Sequence, residues 1–202
     1  MDSSRYQPLE PIKPGVPYRA RDLQTAQTVL IHTLGGLVAA TAAHMLMRAD
    51  RVKGVFHPAL LTIFEVSIGD PGTLRAACEF VPAQTLQRLM GGQPINPKRA
   101  MEIVAEVADG VAELHARQFP HGAISLESVL QTDKGRAKLD LTSALGIADA
   151  TEDGDLEALA ALLQALGGQA AFDVAASGSA ALAAGRLREA AKASSPSSAG
   201  TA

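Results

Sequence analysis

The chain has 202 residues with a formal net charge of -3 at pH 7, and apolar residues make up 47% of it. This length and apolar fraction suffice for one sizeable globular domain or for two small lobes. The mildly acidic balance, with a sequence pI near 5.9, lacks the broad basic field that nucleic-acid binding needs.

Cys78 is the one cysteine of the sequence, so no internal disulfide can form and a reducing compartment is expected. The amino-terminal residues show no charged segment followed by an apolar one, which is the pattern of a secretory signal. No uninterrupted apolar run reaches the length of about 18 residues that would span a bilayer. We therefore expect a cytoplasmic protein that binds neither nucleic acid nor membrane.

Residues 1–81 consist mostly of short, partly β-branched segments separated by turn residues. One helix is predicted over 37–53, where Ala, Met and Leu dominate. Five strands are predicted, at 6–12, 16–21, 28–34, 60–67 and 73–80. The pattern predicts a five-stranded antiparallel sheet with a helix inserted between its third and fourth strands.

Residues 82–192 are predicted to be mostly helical. A long helix over 97–117 has Asn96 as its N-cap, Pro97 at its first position and one apolar face. Residues 193–202 are rich in Ser and predict a disordered tail. Further helices are predicted at 83–90, 153–166 and 180–192, with a hairpin of two short strands at 128–131 and 136–139.

Six short motifs follow one another between residues 6 and 168. They are Tyr18-Arg19-Ala20-Arg21-Asp22, His57-Pro58, Glu79-Phe80-Val81-Pro82, His121-Gly122-Ala123, Lys134-Gly135-Arg136-Ala137-Lys138-Leu139 and Asp155-Leu156-Glu157-Ala158-Leu159. With the order of strands and helices, these motifs resemble a bacterial Ser/Thr protein kinase. The resemblance implies an α+β, kinase-like bilobal fold. It has an N-lobe of residues 1–81 and a truncated, mostly helical C-lobe of residues 82–192.

The residues that carry kinase chemistry are replaced in this sequence. Ala123 stands where the catalytic-loop aspartate accepts the proton of the substrate hydroxyl. Ser128 stands at the magnesium-binding asparagine, His32 at the lysine that grips the phosphates, and Arg48 at the glutamate that holds this lysine. The resemblance therefore implies a domain without kinase catalysis.

Two of these alignments allow a shift of register. The first position of the magnesium-binding D-F-G segment falls on Leu141 without a gap and on Asp140 with a one-residue slip. In the ungapped register, strand alternation turns the Asp140 carboxylate away from the cleft, so Asp140 is a weak candidate and the sole one for a metal ligand. The position assigned to Arg48 passes to Asp50 if the helix register slips.

The predicted nucleotide cleft keeps a hinge but lacks a grip on phosphate. Glu79 and Val81 could offer backbone hydrogen bonds to adenine, with Leu130 as an apolar floor. Leu30 replaces the small alanine that roofs adenine, and the Gly-rich loop is reduced to residues 12–17, with one glycine and two prolines. We therefore expect no bound ATP or other cofactor.

His121 and Asp155 are interpreted as supports of the loop. The resemblance implies that His121 plugs a backbone scaffold and that Asp155 ties down the catalytic-loop backbone. Their presence beside Ala123 indicates that the frame of the loop is kept without its reactive group. The five histidines and one cysteine lack metal-ligand spacing, so no zinc site is expected.

The resemblance implies a pseudokinase, a catalytically inactive kinase homologue that acts as a protein-interaction or regulatory module. Its expected partner is a protein, either a signalling kinase or a phosphopeptide-binding module, and oligomer formation is left open. The partner would dock on the exposed side of the N-lobe helix or on surface left bare by missing C-lobe helices. The alternative is a residual ATP-binding, kinase-like enzyme that performs atypical phosphoryl or nucleotidyl transfer with Asp140. A third interpretation, a decaying gene product, predicts weak folding.

Overall fold

The computed structural model describes residues 5–69, 72–170 and 172–194, which have the α+β class. The strands in this part of the chain are β1 (Tyr6–Pro8), β2 (Tyr18–Asp22), β3 (Thr28–Leu34), β4 (Ile63–Ile68), β5 (Leu74–Glu79), β6 (Ala83–Thr85), β7 (Val129–Thr132) and β8 (Ala137–Leu139). The α-helices are α1 (Ala39–Val52), α2 (Leu86–Met90), α3 (Pro97–Ala116), α4 (Glu152–Ala165) and α5 (Ala180–Ala193).

The larger sheet joins the first five strands in the order β1-β2-β3-β5-β4, and every neighbouring pair is antiparallel. This confirms the predicted five-stranded antiparallel sheet, with α1 between its third and fourth strands. The first strand is shorter than predicted, because it ends at Pro8 instead of residue 12. Pro11 and Pro17 lie in the segment that follows, and proline lacks the N–H that a strand ladder needs.

The two faces of this sheet border different cores. Val29 and Ile31 of β3 are buried on one face, in a small cluster with residues of β1 and β2. Leu30 and His32 alternate with them and lie on the other face, where Leu30 is aligned with Cys78 of β5. Cys78 belongs to the main core, to which α1 also contributes Met45, Ala49 and Val52.

Residues 80–82 link the larger sheet to a second antiparallel sheet, of order β6-β7-β8. The predicted hairpin of β7 and β8 is confirmed. The predicted helix from residue 83 was wrong at its start, because Ala83–Thr85 pairs with β7 and the helix begins at Leu86. The partner strand lies far along the chain, so the local pattern contains no sign of this pairing.

Helix α3 is the centre of the second half of the chain. The side chain of Asn96 accepts the N–H of Lys98 at 3.0 Å, which confirms the predicted N-cap. Helix α5 is also confirmed and packs against α3. Its buried residues are Ala180, Ala183, Ala184, Leu187 and Ala191. One side of α3 is therefore covered by the last described helix.

Residues 195–202, most of the predicted disordered tail, lie outside the described residues. Within the described ranges, no helix is both long enough and apolar enough to cross a membrane. Helix α3, with 20 residues, has the length, but charged residues occur along it.

Candidate functional site

The loop that begins at His121 is held by one buried carboxylate. Thr151 caps α4, so that Asp155 lies in its first turn with no exposed surface. Its two oxygens accept the backbone N–H groups of His121 and Gly122, both at 2.7 Å. Oδ2 also accepts a hydrogen bond from Nε2 of His115 at 2.9 Å. The predicted contact between Asp155 and the loop backbone is therefore present.

These contacts decide the ionisation of Asp155. Burial by itself would raise the pKa of this carboxyl group. The hydrogen bonds from His115, Gly122 and His121 outweigh that effect, so that the pKa of Asp155 is lowered. The carboxylate is thus charged at neutral pH and acts as a fixed acceptor for the loop.

His121 connects the loop to the segment that follows β8. Its Nδ1 accepts the N–H of Ala123 at 3.2 Å, which assigns the ring proton to Nε2. Nε2 then donates to the carbonyl of Asp140 at 3.0 Å. Burial lowers the pKa of His121, so the ring remains neutral. The predicted contact between His121 and the surrounding backbone is therefore present.

Ala123 and Ser128 are the two residues that the resemblance aligns with catalytic-loop positions. Ala123 is half-buried and has only a methyl group to offer. Ser128 is buried, and its hydroxyl accepts the N–H of Ser125 at 2.9 Å and donates to the Ser125 carbonyl at 3.3 Å. The hydroxyl of Ser128 thus closes a turn within the loop.

Asp140 and Leu141 have different environments. Leu141 is fully buried in the main core. His32 and Cys78, whose pKa values the negative charge of Asp140 influences, lie on the same face of the larger sheet. Oδ1 of Asp140 accepts the N–H of Thr142 at 2.9 Å and the Thr142 hydroxyl at 2.8 Å.

The interaction with Asp140 also affects the titration of both neighbours. Burial lowers the pKa of His32, and the negative charge of Asp140 opposes this shift in part. Burial raises the pKa of the Cys78 thiol, and Asp140 adds to that shift. His32 is therefore neutral at physiological pH and cannot act as the fixed cation that a phosphate-gripping lysine would be.

Arg48, at the predicted glutamate position, is directed at the backbone of two loops. Its Nη2 donates to the carbonyl of Pro120 at 2.7 Å, and its Nε donates to the carbonyl of Ala144 at 3.2 Å. Asp50, the alternative for the same position, is 72% exposed and pairs with Lys53 at 3.0 Å. Neither residue supplies an acidic partner to His32.

The residues of the predicted nucleotide cleft lie around the link between the sheets. Leu30 of β3 and Leu130 of β7 are half-buried, and Val81 lies within the link. Glu79 ends β5, and its carboxylate pairs with Lys138 of β8 at 3.0 Å. This ion pair joins the two sheets, and no local sequence pattern indicates it because the two residues are far apart in the chain.

A cavity of about 620 Å³ lies beside the link. It is lined by Val29, Phe56 and Phe64, together with the paired charges of Glu79 and Lys138. Because Val29 and Leu30 alternate along β3, the cavity opens on the face of the sheet opposite to Leu30. The cavity and the predicted nucleotide cleft therefore share Glu79 but lie on opposite faces of β3.

The described residues contain no group of three His, Cys, Asp or Glu side chains that could hold a metal ion.

Comparisons of the sequence with protein-family models and with curated proteins found no match. The geometry itself shows a loop that is fixed by Asp155 and His121 and that presents a methyl group at Ala123. Such a loop can position backbone and surface, but it has no group at Ala123 to accept a proton.

Proposed function

We propose that this protein is a pseudokinase, a catalytically inactive kinase homologue that acts as a protein-interaction or regulatory module. The observation that carries the proposal is the loop, which Asp155 and His121 brace while Ala123 offers no carboxylate. A kinase requires an aspartate there to accept the proton of the substrate hydroxyl. A loop that is held in place but has no reactive group supports a role in protein interaction and not in catalysis.

The arrangement of the two sheets supports a kinase-like bilobal fold. A five-stranded antiparallel sheet carries one helix, α1, between β3 and β4. The link of residues 80–82 then leads to a mostly helical second half, and the proposed lobe boundary at residue 81 falls within it. The running order matches the resemblance on which the proposal rests.

Two apolar surfaces could receive a protein partner, either a signalling kinase or a phosphopeptide-binding module. The outward face of α1 exposes Ala40, Ala43 and Met47, of which Met47 is 56% exposed. A second surface is a groove of about 400 Å³ beside α4, lined by residues that include Ile124 and Ala161. We favour the α1 face because it carries a large exposed apolar side chain, Met47.

Purified protein is expected to show no thermal stabilisation by ATP, with or without magnesium or manganese. His32 gives no fixed positive charge, and Leu30 adds bulk to the cleft. A ligand present at 100 times its Kd would stabilise the fold by about 2.7 kcal/mol, which corresponds to a rise in Tm of about 5 °C or more. A thermal-shift assay therefore detects useful affinity readily.

Label transfer from γ-labelled ATP is the companion measurement, and none is expected. Asp140→Asn serves as the matched variant, because Asp140 is the sole candidate metal ligand that the resemblance implies. A metal-dependent thermal shift, together with label transfer that Asp140→Asn abolishes, would replace this proposal with atypical phosphoryl transfer.

The substitution Met47→Glu is expected to weaken capture of the protein partner by at least about tenfold, because a carboxylate would be buried in an apolar contact. Affinity purification with quantitative mass spectrometry measures this. Leu182→Glu on α5 is the matched control, since Leu182 is 59% exposed. Ala161→Glu tests the groove beside α4. Equal capture by all three variants would contradict docking on either surface.

A further inference from the structure

One cation of α1 contacts two separate loops. The hydrogen bonds from Arg48 reach Pro120, which immediately precedes His121, and Ala144, which lies after β8. The guanidinium carbon also lies 4.2 Å from the centroid of the fully buried Phe119 ring. Arg48 therefore joins α1 to both segments that His121 connects, through two hydrogen bonds and a cation–π contact.

A second arginine on the next turn of α1 strengthens this attachment. Nη1 of Arg51 donates to the carbonyl of Gln118 at 2.7 Å. Arg51 is exposed, whereas Arg48 is half-buried, so that Arg48 is the better shielded of the two. The acceptors of both arginines are backbone carbonyls, which are present whether or not a ligand is bound.

We propose that Arg48 is a latch, a side chain whose contacts keep α1 docked on these two loops without any bound ligand. In a kinase, the corresponding helix is positioned through the lysine–glutamate pair that also serves the bound nucleotide. The Arg48 contacts need no nucleotide, because guanidinium donors and carbonyl acceptors are both part of the chain. If the α1 face is the docking surface proposed above, the latch displays it constitutively; the latch itself does not rest on that function.

Amide hydrogen exchange of the full chain without nucleotide tests the latch. Arg48→Met keeps an unbranched apolar stem and removes the guanidinium group with its donors. It is expected to accelerate exchange in α1 and in residues 117–121 by about tenfold or more, with α3 unchanged. Arg48→Lys keeps the charge without the planar fork, and we expect an intermediate effect. Arg88→Met, at an exposed arginine of α2, is the matched control and should exchange like the wild type.

Two exchange results decide between the alternatives. Faster amide exchange confined to α1 and the two loops supports the latch, and exchange in α1 at the wild-type rate in both Arg48 variants overturns it. Global unfolding of both variants would also overturn it, because Arg48 would then support the whole fold and not the position of α1. No nucleotide or partner enters the measurement, so its failure leaves the proposed function standing for the ATP and capture experiments to test.

Discussion

Asparagine in place of Asp155 is expected to lower the free energy of unfolding by about 3–5 kcal/mol. The carboxylate accepts three hydrogen bonds, from His121, Gly122 and His115, in a fully buried position. An asparagine side chain has only one acceptor oxygen. Its NH2 group would therefore face one of the N–H donors, and neither of these two donors would have an acceptor. Urea denaturation followed by circular dichroism measures the loss.

Asp153→Asn is the matched control for this prediction. Asp153 lies in the same first turn of α4 but is exposed. Its replacement removes a favourable charge at the helix N-terminus and should cost less than about 1 kcal/mol. Similar small losses for the two variants would show that Asp155 does not brace the loop.

The ionisation of Asp155 makes the free energy of unfolding depend on pH. The pKa of Asp155 is lower in the folded protein than in the unfolded chain, where it is about 4. Asp155 therefore contributes fully to the free energy of unfolding above about pH 4, and this contribution is lost as the pH falls through the folded-state pKa. The difference in free energy of unfolding between the wild type and Asp155→Asn should therefore become smaller below about pH 4. Asp22, whose pKa is lowered by its hydrogen bond with Arg5, is present in both proteins and cancels in the comparison. A difference that stays constant with pH would contradict this.

The second large effect is expected at Gly122, where alanine should cost about 2–4 kcal/mol. Gly122 has φ of +73°, which L side chains rarely adopt. A Cβ atom there would lie 2.7 Å from Cβ of Ala150 and 2.8 Å from Cγ2 of Ile147. The substitution therefore combines backbone strain with a steric collision.

Gly135→Ala separates these two causes. Gly135 has a similar φ of +75°, but a Cβ there would meet nothing within 4 Å. We expect this control to lose only the backbone term of about 1 kcal/mol. Denaturation curves of both variants give the steric part by difference, and equal losses would refute the collision at Gly122.

The steric limit at Gly122 also bears on the family motif. The resemblance aligns Gly122 with the arginine of H-R-D, and an arginine side chain begins with the same Cβ atom. The Cβ atom of an arginine at this position would collide with Ala150 and Ile147. The loop is therefore built around glycine, and its difference from the motif extends beyond Ala123.

Much of the fold follows from local patterns in the sequence. The period of the apolar residues and the Asn96 cap predicted α3, and alternation with turn residues predicted β3 and the β7–β8 hairpin. The contact of Asp155 with the loop was also predicted, because the motif around it resembles a known one. These features depend on neighbouring residues or on a recognisable motif, so the sequence alone predicts them.

Other features depend on contacts between distant parts of the chain. The short strand Ala83–Thr85 exists because β7 pairs with it, although the local pattern favoured a helix. Arg48 was aligned with an acidic position, and its true partners are the carbonyls of Pro120 and Ala144. Every residue has a backbone carbonyl, so no sequence pattern identifies which ones an arginine will reach. Only the packing of α1 against the loops determines those acceptors.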